Sequence, residues 1–291
     1  MITKKYYKLV RVSHADSDYF RVTNVDTTAG TLTIGAGGNL GKNLEYSTDG
    51  VNWTTADPNA PFSLTVPAGA NVYMRGTNSI FQKTINMDAN HTVGGNVLSL
   101  IDKSNYSTMT TPPPPYSNLF SRLFNGNTHL VSAADMNFGN LVQTSGGFAA
   151  DMFNGCTALT AAPELPMTTL GNSCYSSMFK NCTSLTAAPE LPATTVGGES
   201  YSYMFQGCTS LTKAPELPAT TLAINCYNSM FQNCTSLNTV KCLAENISAY
   251  ACTNNWMNGV SATGTFIKSA NMSSWTTGTS GIPSGWTVVD A

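Results

Sequence analysis

Eight cysteines, a periodic set of glutamates and three histidines are the residues here with the chemistry to act. Cys156, Cys182, Cys208 and Cys234 recur every 26 residues, and Cys174, Cys226 and Cys252 form a second series broken at Ser200. Thiols at such spacing could pair as disulfides, because equivalent residues on adjacent coils of a repeat lie close enough. Zinc would need nearby Cys or His partners in short spacing, and none stands there. Asn127 heads the first series where a cysteine is due. Together with Ser200 it fits buried, reduced, small filler residues better than obligate pairs. Glu164, Glu190 and Glu216 repeat at the same interval. Like charges about 4.8 Å apart cost roughly 1 kcal/mol per neighbouring pair in water, so they should face solvent, with Lys213 partly neutralising them; recruiting a cation is the alternative. His14, His91 and His129 are widely separated and lie outside the regular repeats. No Gly-x-Ser-x-Gly, phosphate loop or dinucleotide fingerprint appears. Without converging acid, base or nucleophile, the sequence predicts no enzyme, no cofactor and no metal site.

The element that positions these residues is a repeat. Met-Phe-x-x-Cys-Thr-x-Leu begins at Met152, Met178, Met204 and Met230. Ala-Pro-Glu-Leu-Pro lies between, at Ala162–Pro166, Ala188–Pro192 and Ala214–Pro218. A degenerate copy, Leu123-Phe124-Asn125-Gly126-Asn127, precedes the set, and a half-copy with Cys252 and Trp256-Met257 follows it. Such strict self-similarity predicts a solenoid, in which each coil buries its apolar residues on the next. Expected inward columns are Phe153/Phe179/Phe205/Phe231, Leu159/Leu185/Leu211/Leu237, Leu165/Leu191/Leu217/Leu243 and Leu170/Val196/Leu222, with the cysteine series beside them. Tyr175–Asn181 has helix-like spacing, whereas Pro189 and Pro192 exclude helix and suit a short extended segment.

Residues before about 98 lack the period and read as β structure. Thr48-Asp49-Gly50 between Leu44–Tyr46 and Val51–Trp53 is a hairpin signal. Further strands are expected at Tyr6–Val12, Tyr19–Val25, Thr31–Ile34, Phe62–Val66 and Asn71–Arg75, with a turn at Pro67-Ala68-Gly69. Asn96–Ile101 leads onward, and Pro112–Pro115 reads as a stiff polyproline segment. The expected class is therefore α+β: an antiparallel β-sandwich over 1–97, a connector over 98–118, the repeat solenoid over 119–260 and a C-terminal cap over 261–291. Trp256, Phe266, Trp275 and Trp286 would form the lid of that cap, the competing role for Trp275 and Trp286 being to stack sugars.

Phe-x-x-Cys-x-x-Leu followed by a short segment ending in Leu-Pro resembles the BspA-type leucine-rich repeats of Bacteroidales surface proteins and the similar repeat proteins of their crAss-like bacteriophages. The resemblance covers Leu119–Val260 and extends to the Gly281–Val288 ending. The Ser-Thr-Asp-Gly-x-x-Trp hairpin also looks like the module preceding such repeats. With Met1 taken as the natural start, Lys4, Lys5 and Lys8 are not followed by the apolar run of an export signal. The resemblance then implies a non-enzymatic structural and adhesive virion protein, a head fibre or tail-associated fibre at the particle surface. Its partners would be other virion proteins and a host-surface glycan or protein, with self-association left open. A bacterial cell-surface adhesin and an intracellular protein-binding scaffold are the alternatives.

Composition narrows the partners. Only 10% of residues are charged, with 14 Lys+Arg against 16 Asp+Glu, a net charge of −2. No basic block exists to neutralise phosphates, so nucleic acid is not an expected ligand. No stretch approaches the ~18 uncharged apolar residues of a membrane span. Ligand contacts are expected where otherwise matching coils vary: Asn154/Lys180/Gln206/Gln232, Asn172/Gly198/Ile224, and Lys213.

Overall fold

The structure is a computed structural model that describes residues 18–35, 43–78, 81–111, 117–142, 146–273 and 275–291. The expected strand at Tyr6–Val12, His14 and the Pro112–Pro115 segment lie outside the described residues. Strands dominate the regular structure. The one helix among the described residues is a 3-10 turn at Val97–Leu100, capped by the Asn96 side chain. The molecule is mostly β, and the helical part of the α+β expectation does not hold. No helix among the described residues is long and apolar enough to cross a membrane.

The N-terminal strands alternate buried and exposed residues, which is why they form sheets with one face inward. A six-stranded sheet runs β4 (Thr54–Thr55), β3 (Leu44–Ser47), β6 (Asn71–Gly76), β1 (Phe20–Asn24), β8 (His91–Asn96) and β9 (Leu130–Asn137). A three-stranded sheet runs β5 (Phe62–Val66), β2 (Gly30–Ile34) and β7 (Ile85–Met87). All pairings are antiparallel except β8 with β9. Phe20, Val22 and Met74 of the first sheet and Leu32, Ile34 and Met87 of the second share one core. The Tyr46 and Phe62 rings join the sheets edge to face at 5.2 Å. The hairpin forms, but its return strand starts at Thr54 rather than Val51. The Asp49 carboxylate accepts from the Val51 and Asn52 N–H groups at 2.8 and 2.7 Å, which extends the turn and leaves Val51 77% exposed.

In the repeats, the expected helix at Tyr175–Asn181 is replaced by a tighter arrangement. Ser173, Ser177 and Asn181 have φ of 54°, 55° and 60°, one left-handed residue in every four. Each such residue interrupts right-handed helix and turns the next peptide outward. Donors then alternate. Tyr175, Ser177 and Phe179 donate to the Ser200, Ser202 and Met204 carbonyls of the next unit at 2.8–2.9 Å. Ser176, Met178 and Lys180 donate back three residues within their own unit at 3.1–3.2 Å. The same alternation of donors runs from Asn118 to Asn233, and the last of these segments bonds to a sixth at 251–259, so six turn segments are laddered side by side with every second N–H crossing between them.

This spacing stacks the aromatic column. Phe124, Phe153, Phe179, Phe205 and Phe231 lie face to face with centroids 5.2–5.8 Å apart and planes within 14°. The leucine columns are buried as expected with one exception. Leu243 is half-buried, and Cys242 takes the place opposite Leu217. The register slips by one residue between Lys213 and Glu216, at Pro215, which cannot donate to the ladder. From there β10 (Lys213–Leu217), β11 (Thr239–Cys242), β12 (Gly264–Lys268) and β13 (Trp286–Asp290) form a parallel sheet in that order.

The cysteine column has a role that spacing alone did not reveal. The thiols of Cys156, Cys182, Cys208 and Cys234 donate to the carbonyls of Phe124, Phe153, Phe179 and Phe205 in the preceding unit at 2.9–3.1 Å. Burial pushes the Cys156 and Cys234 thiols up to about 12 and those of Cys182 and Cys208 well above the ordinary value. None of these four is in a disulfide. Asn127 performs the same task at the head of the column, its amide donating to the Ile85 carbonyl at 3.2 Å.

Both ends of the stack are met by other elements. Phe81 and Ile85 donate to the Leu119 and Leu123 carbonyls at 2.9 and 2.7 Å, joining the N-terminal sheets to the first unit. At the other end Trp256 packs on Tyr227 and Phe231, and Trp275 stacks on Trp256 at 5.4 Å.

Two outcomes follow from this packing. Phe205→Ala removes an interior ring of the stack and is expected to lower stability by about 3–5 kcal/mol, read as a shift in the urea midpoint. Alkylation without reductant should label Cys156, Cys182, Cys208 and Cys234 only after denaturation; intact-mass evidence of disulfides at these positions would refute the thiol–carbonyl arrangement.

Candidate functional site

A surface that repeats can bind only through the positions at which it is exposed. Asn154, Lys180, Gln206 and Gln232 occupy equivalent places near the end of each turn segment and are half-buried. The ladder holds them in one line. Each lies three residues after Asp151, Ser177, Tyr203 or Ser229, all left-handed residues. Their side chains interlock along the line. Asn154 donates to the Asp151 carboxylate at 2.9 Å, the Lys180 ammonium lies 5.5 Å from the Tyr203 ring centroid, and the Gln206 amide donates to Gln232. Arg122 extends the strip at its start, 3.7 Å from Asp151. An ammonium beside a half-buried ring at the surface is worth about 1 kcal/mol, enough to orient Lys180 without withdrawing its charge from a ligand.

The other expected positions do not join this strip. Asn172, Gly198 and Ile224 lie at the opposite end of the turn segments. The Asn172 side-chain carbonyl accepts from Gly198 N–H at 2.9 Å, and Ile224 is 51% exposed. Lys213 starts β10 and is exposed. It does not neutralise the glutamates as expected: the register slip at Pro215 brings Lys241 to Glu216 instead, at 2.9 Å. Glu164, Glu190 and Glu216 are exposed, which matches the solvent-facing expectation. An open groove of about 300 Å³ lies between Ala162–Pro166 and Pro189–Pro192, where no backbone bond joins the two proline-rich segments.

Sequence reasoning missed Asp151 and Tyr203. The signal was present, because the 151/177/203/229 column varies between units as much as the column chosen. It also missed a cluster in the N-terminal sheets. The Arg75 guanidinium lies 3.8 Å from the Trp53 ring centroid and 5.3 Å from that of Tyr19, and donates to Glu45 at 2.6 Å. Burial would raise the Glu45 carboxyl, but Lys103 and Arg75 together hold it below the ordinary carboxylate range. These charges are satisfied by one another, so the cluster fastens β3 to β6 rather than offering a site.

His91 and His129 are brought together, the His91 N–H donating to the His129 carbonyl at 3.1 Å. The His91 ring is fully buried. Its Nδ1 lies 2.9 Å from the Ala89 carbonyl and must donate; its Nε2 then accepts from the Asn127 amide at 2.9 Å. This makes the ring neutral and structural, at the joint between β8 and the first unit. Comparison with protein-family models, with curated proteins and with solved structures finds no match to this chain.

Burial drives the His91 pKa down to about 4 from an ordinary 6.5, with the Ala89 carbonyl opposing and His129 assisting. The folded ring stays neutral while the unfolded chain takes up a proton below pH 6.5. The contribution of His91 is therefore whole above that pH and is lost as pH falls towards 4, about 3 kcal/mol in total. Urea midpoints measured from pH 7 to 4 should fall steeply, and His91→Gln should flatten the fall within that window.

Proposed function

We propose that the chain is a non-enzymatic structural and adhesive virion protein of a Bacteroidales phage, a head fibre or tail-associated fibre that binds the host surface or its glycans. In fold terms it would be a β-sandwich followed by a BspA-type leucine-rich-repeat solenoid of 26-residue period, closed by an aromatic C-terminal cap. The observation that carries the binding role is the strip Asn154, Lys180, Tyr203, Gln206 and Gln232. It offers amide donors and acceptors, a cation and an aromatic ring at the spacing of one unit, on a backbone that cannot bend locally. A repeating polyol presents hydroxyls and apolar ring faces in the same alternation, and is matched by such a row without any acid–base chemistry. Support for the source is the sequence resemblance over the repeats. Trp275, which stacks on Trp256, and Trp286, which is buried with its indole N–H donating to the Ser261 carbonyl at 2.8 Å, support the cap role over a sugar-stacking one.

The protein should bind intact Bacteroidales cells or their extracted surface polysaccharide. Lys180→Ala and Tyr203→Ala should each weaken binding about fivefold, the equivalent of one lost polar contact, with the thermal midpoint unchanged for Lys180→Ala. Antibody labelling of purified particles should place the chain on the virion. Labelling confined to the bacterial envelope would favour the adhesin reading, and no binding to cells or polysaccharide would refute adhesion.

A further inference from the structure

β13 is the last strand of its sheet, and no described residue bonds to its outer edge. The Ala291 N–H donates to the Lys268 carbonyl at 2.8 Å, which fixes the facing of the strand. Bonding alternates along a parallel ladder, so Thr287 and Val289 face β12 while Val288 and Asp290 turn their N–H and C=O groups outward. The Trp286 N–H is taken by Pro283 at 3.1 Å, leaving its carbonyl outward as well. Val288 also ends an apolar column. It follows Val240 and Phe266 in register, both fully buried, yet is itself 44% exposed. Edge strands are normally protected by proline, lysine, a bulge or very short length. Trp286-Thr287-Val288-Val289-Asp290 has none of these.

We propose that β13 pairs antiparallel with β13 of a second copy of this chain, about a two-fold axis at Val288. In that register the strand is its own complement. Val288 meets its counterpart, Thr287 meets Val289, and Trp286 meets Asp290. The two Val288 residues exchange N–H and C=O bonds, and each Asp290 N–H reaches the opposite Trp286 carbonyl. The two Asp290 carboxylates fall at opposite ends of the pair, each already held by Lys268, so no like charges face each other. The exposed end of the column is then covered by its own copy. Head-to-tail growth is disfavoured at the opposite edge of the sheet, where β10 carries Pro215 and an irregular register between Lys213 and Glu216. What remains is an isologous, self-limiting contact.

Sedimentation velocity of the full chain over a wide concentration range should show a monomer–dimer equilibrium, and Val288→Lys should weaken it at least tenfold while leaving the circular dichroism unchanged. Val288→Cys supplies a more direct readout, because all eight cysteines already in the chain are buried. Facing residues of a bonded antiparallel pair have Cα atoms about 5.5 Å apart, within disulfide range. Mild oxidation should therefore convert Val288→Cys into a covalent dimer and leave Val289→Cys monomeric. A chain that stays monomeric at every concentration, or equal cross-linking of the two variants, would overturn the proposal.

Discussion

Every second N–H along the turn segments leaves its own unit and bonds to the next one. That alternation is the constraint on which the rest of the molecule depends. It requires a left-handed residue in every four, a conformation that costs about 1–2 kcal/mol for a residue with a side chain. It persists because the alternative leaves buried donors without partners. Once the units are laddered at this fixed rise, their phenylalanines can stack only face to face, and their thiols can reach only the carbonyl one unit back. The column Gly155, Asn181, Gly207, Asn233, Gly259 shows the same constraint on the surface. A β-carbon at Gly207 would lie 2.4 Å from the Asn181 side-chain oxygen, so a side chain there would displace the asparagine of the preceding unit.

The repeat and its inward columns were legible because they rest on identity at a fixed interval, which needs no knowledge of backbone conformation. The phenylalanine and leucine columns follow from that interval alone. The conformation between them did not. Apolar residues at Tyr175, Met178, Phe179 and Cys182 satisfy helical spacing, and a turn ladder buries the same residues. Periodicity cannot separate the two when one residue in four adopts positive φ. Leu243 was misplaced for a related reason: one residue is lost from the register at Pro215, and a count by 26 carries the error forward. In the N-terminal sheets, alternation located β1, β2, β5 and β6. β8 contains His91, Gly94, Gly95 and Asn96, a composition that hides a central strand bonded on both sides. Of the candidate site, the variable column was found and its neighbour at Asp151 and Tyr203 was not, because a helix would not set these two columns in one strip as the left-handed turn at each of them does.

The joint between the N-terminal sheets and the first unit uses a different vocabulary from the repeats. Asn127 stands where later units have cysteine, and its two amide hydrogens serve Ile85 and His91 while its oxygen accepts from the His129 N–H at 3.2 Å. A thiol has one weak hydrogen and could serve only one of these. The departure from the repeat at this position is thus set by what lies before it, and the strip of variable side chains begins on a foundation tied into two sheets.

The thiol–carbonyl contact carries a consequence for how such a chain changes over generations. Each unit offers one carbonyl forward, from its phenylalanine, and one sulfur hydrogen backward, from its cysteine. As far as these sulfur contacts and the ring stack are concerned, one unit can follow another, and a gene that slips by whole repeats during copying yields a protein with these bond types still closed, best in steps of two that keep the alternation of Gly207 and Asn233. A slip by part of a repeat breaks the ladder, the ring stack and the sulfur contacts together. Length is thus free to drift in whole steps, carrying the exposed row longer or shorter, while the two ends, with Asn127 at one and Trp256 at the other, stay unique.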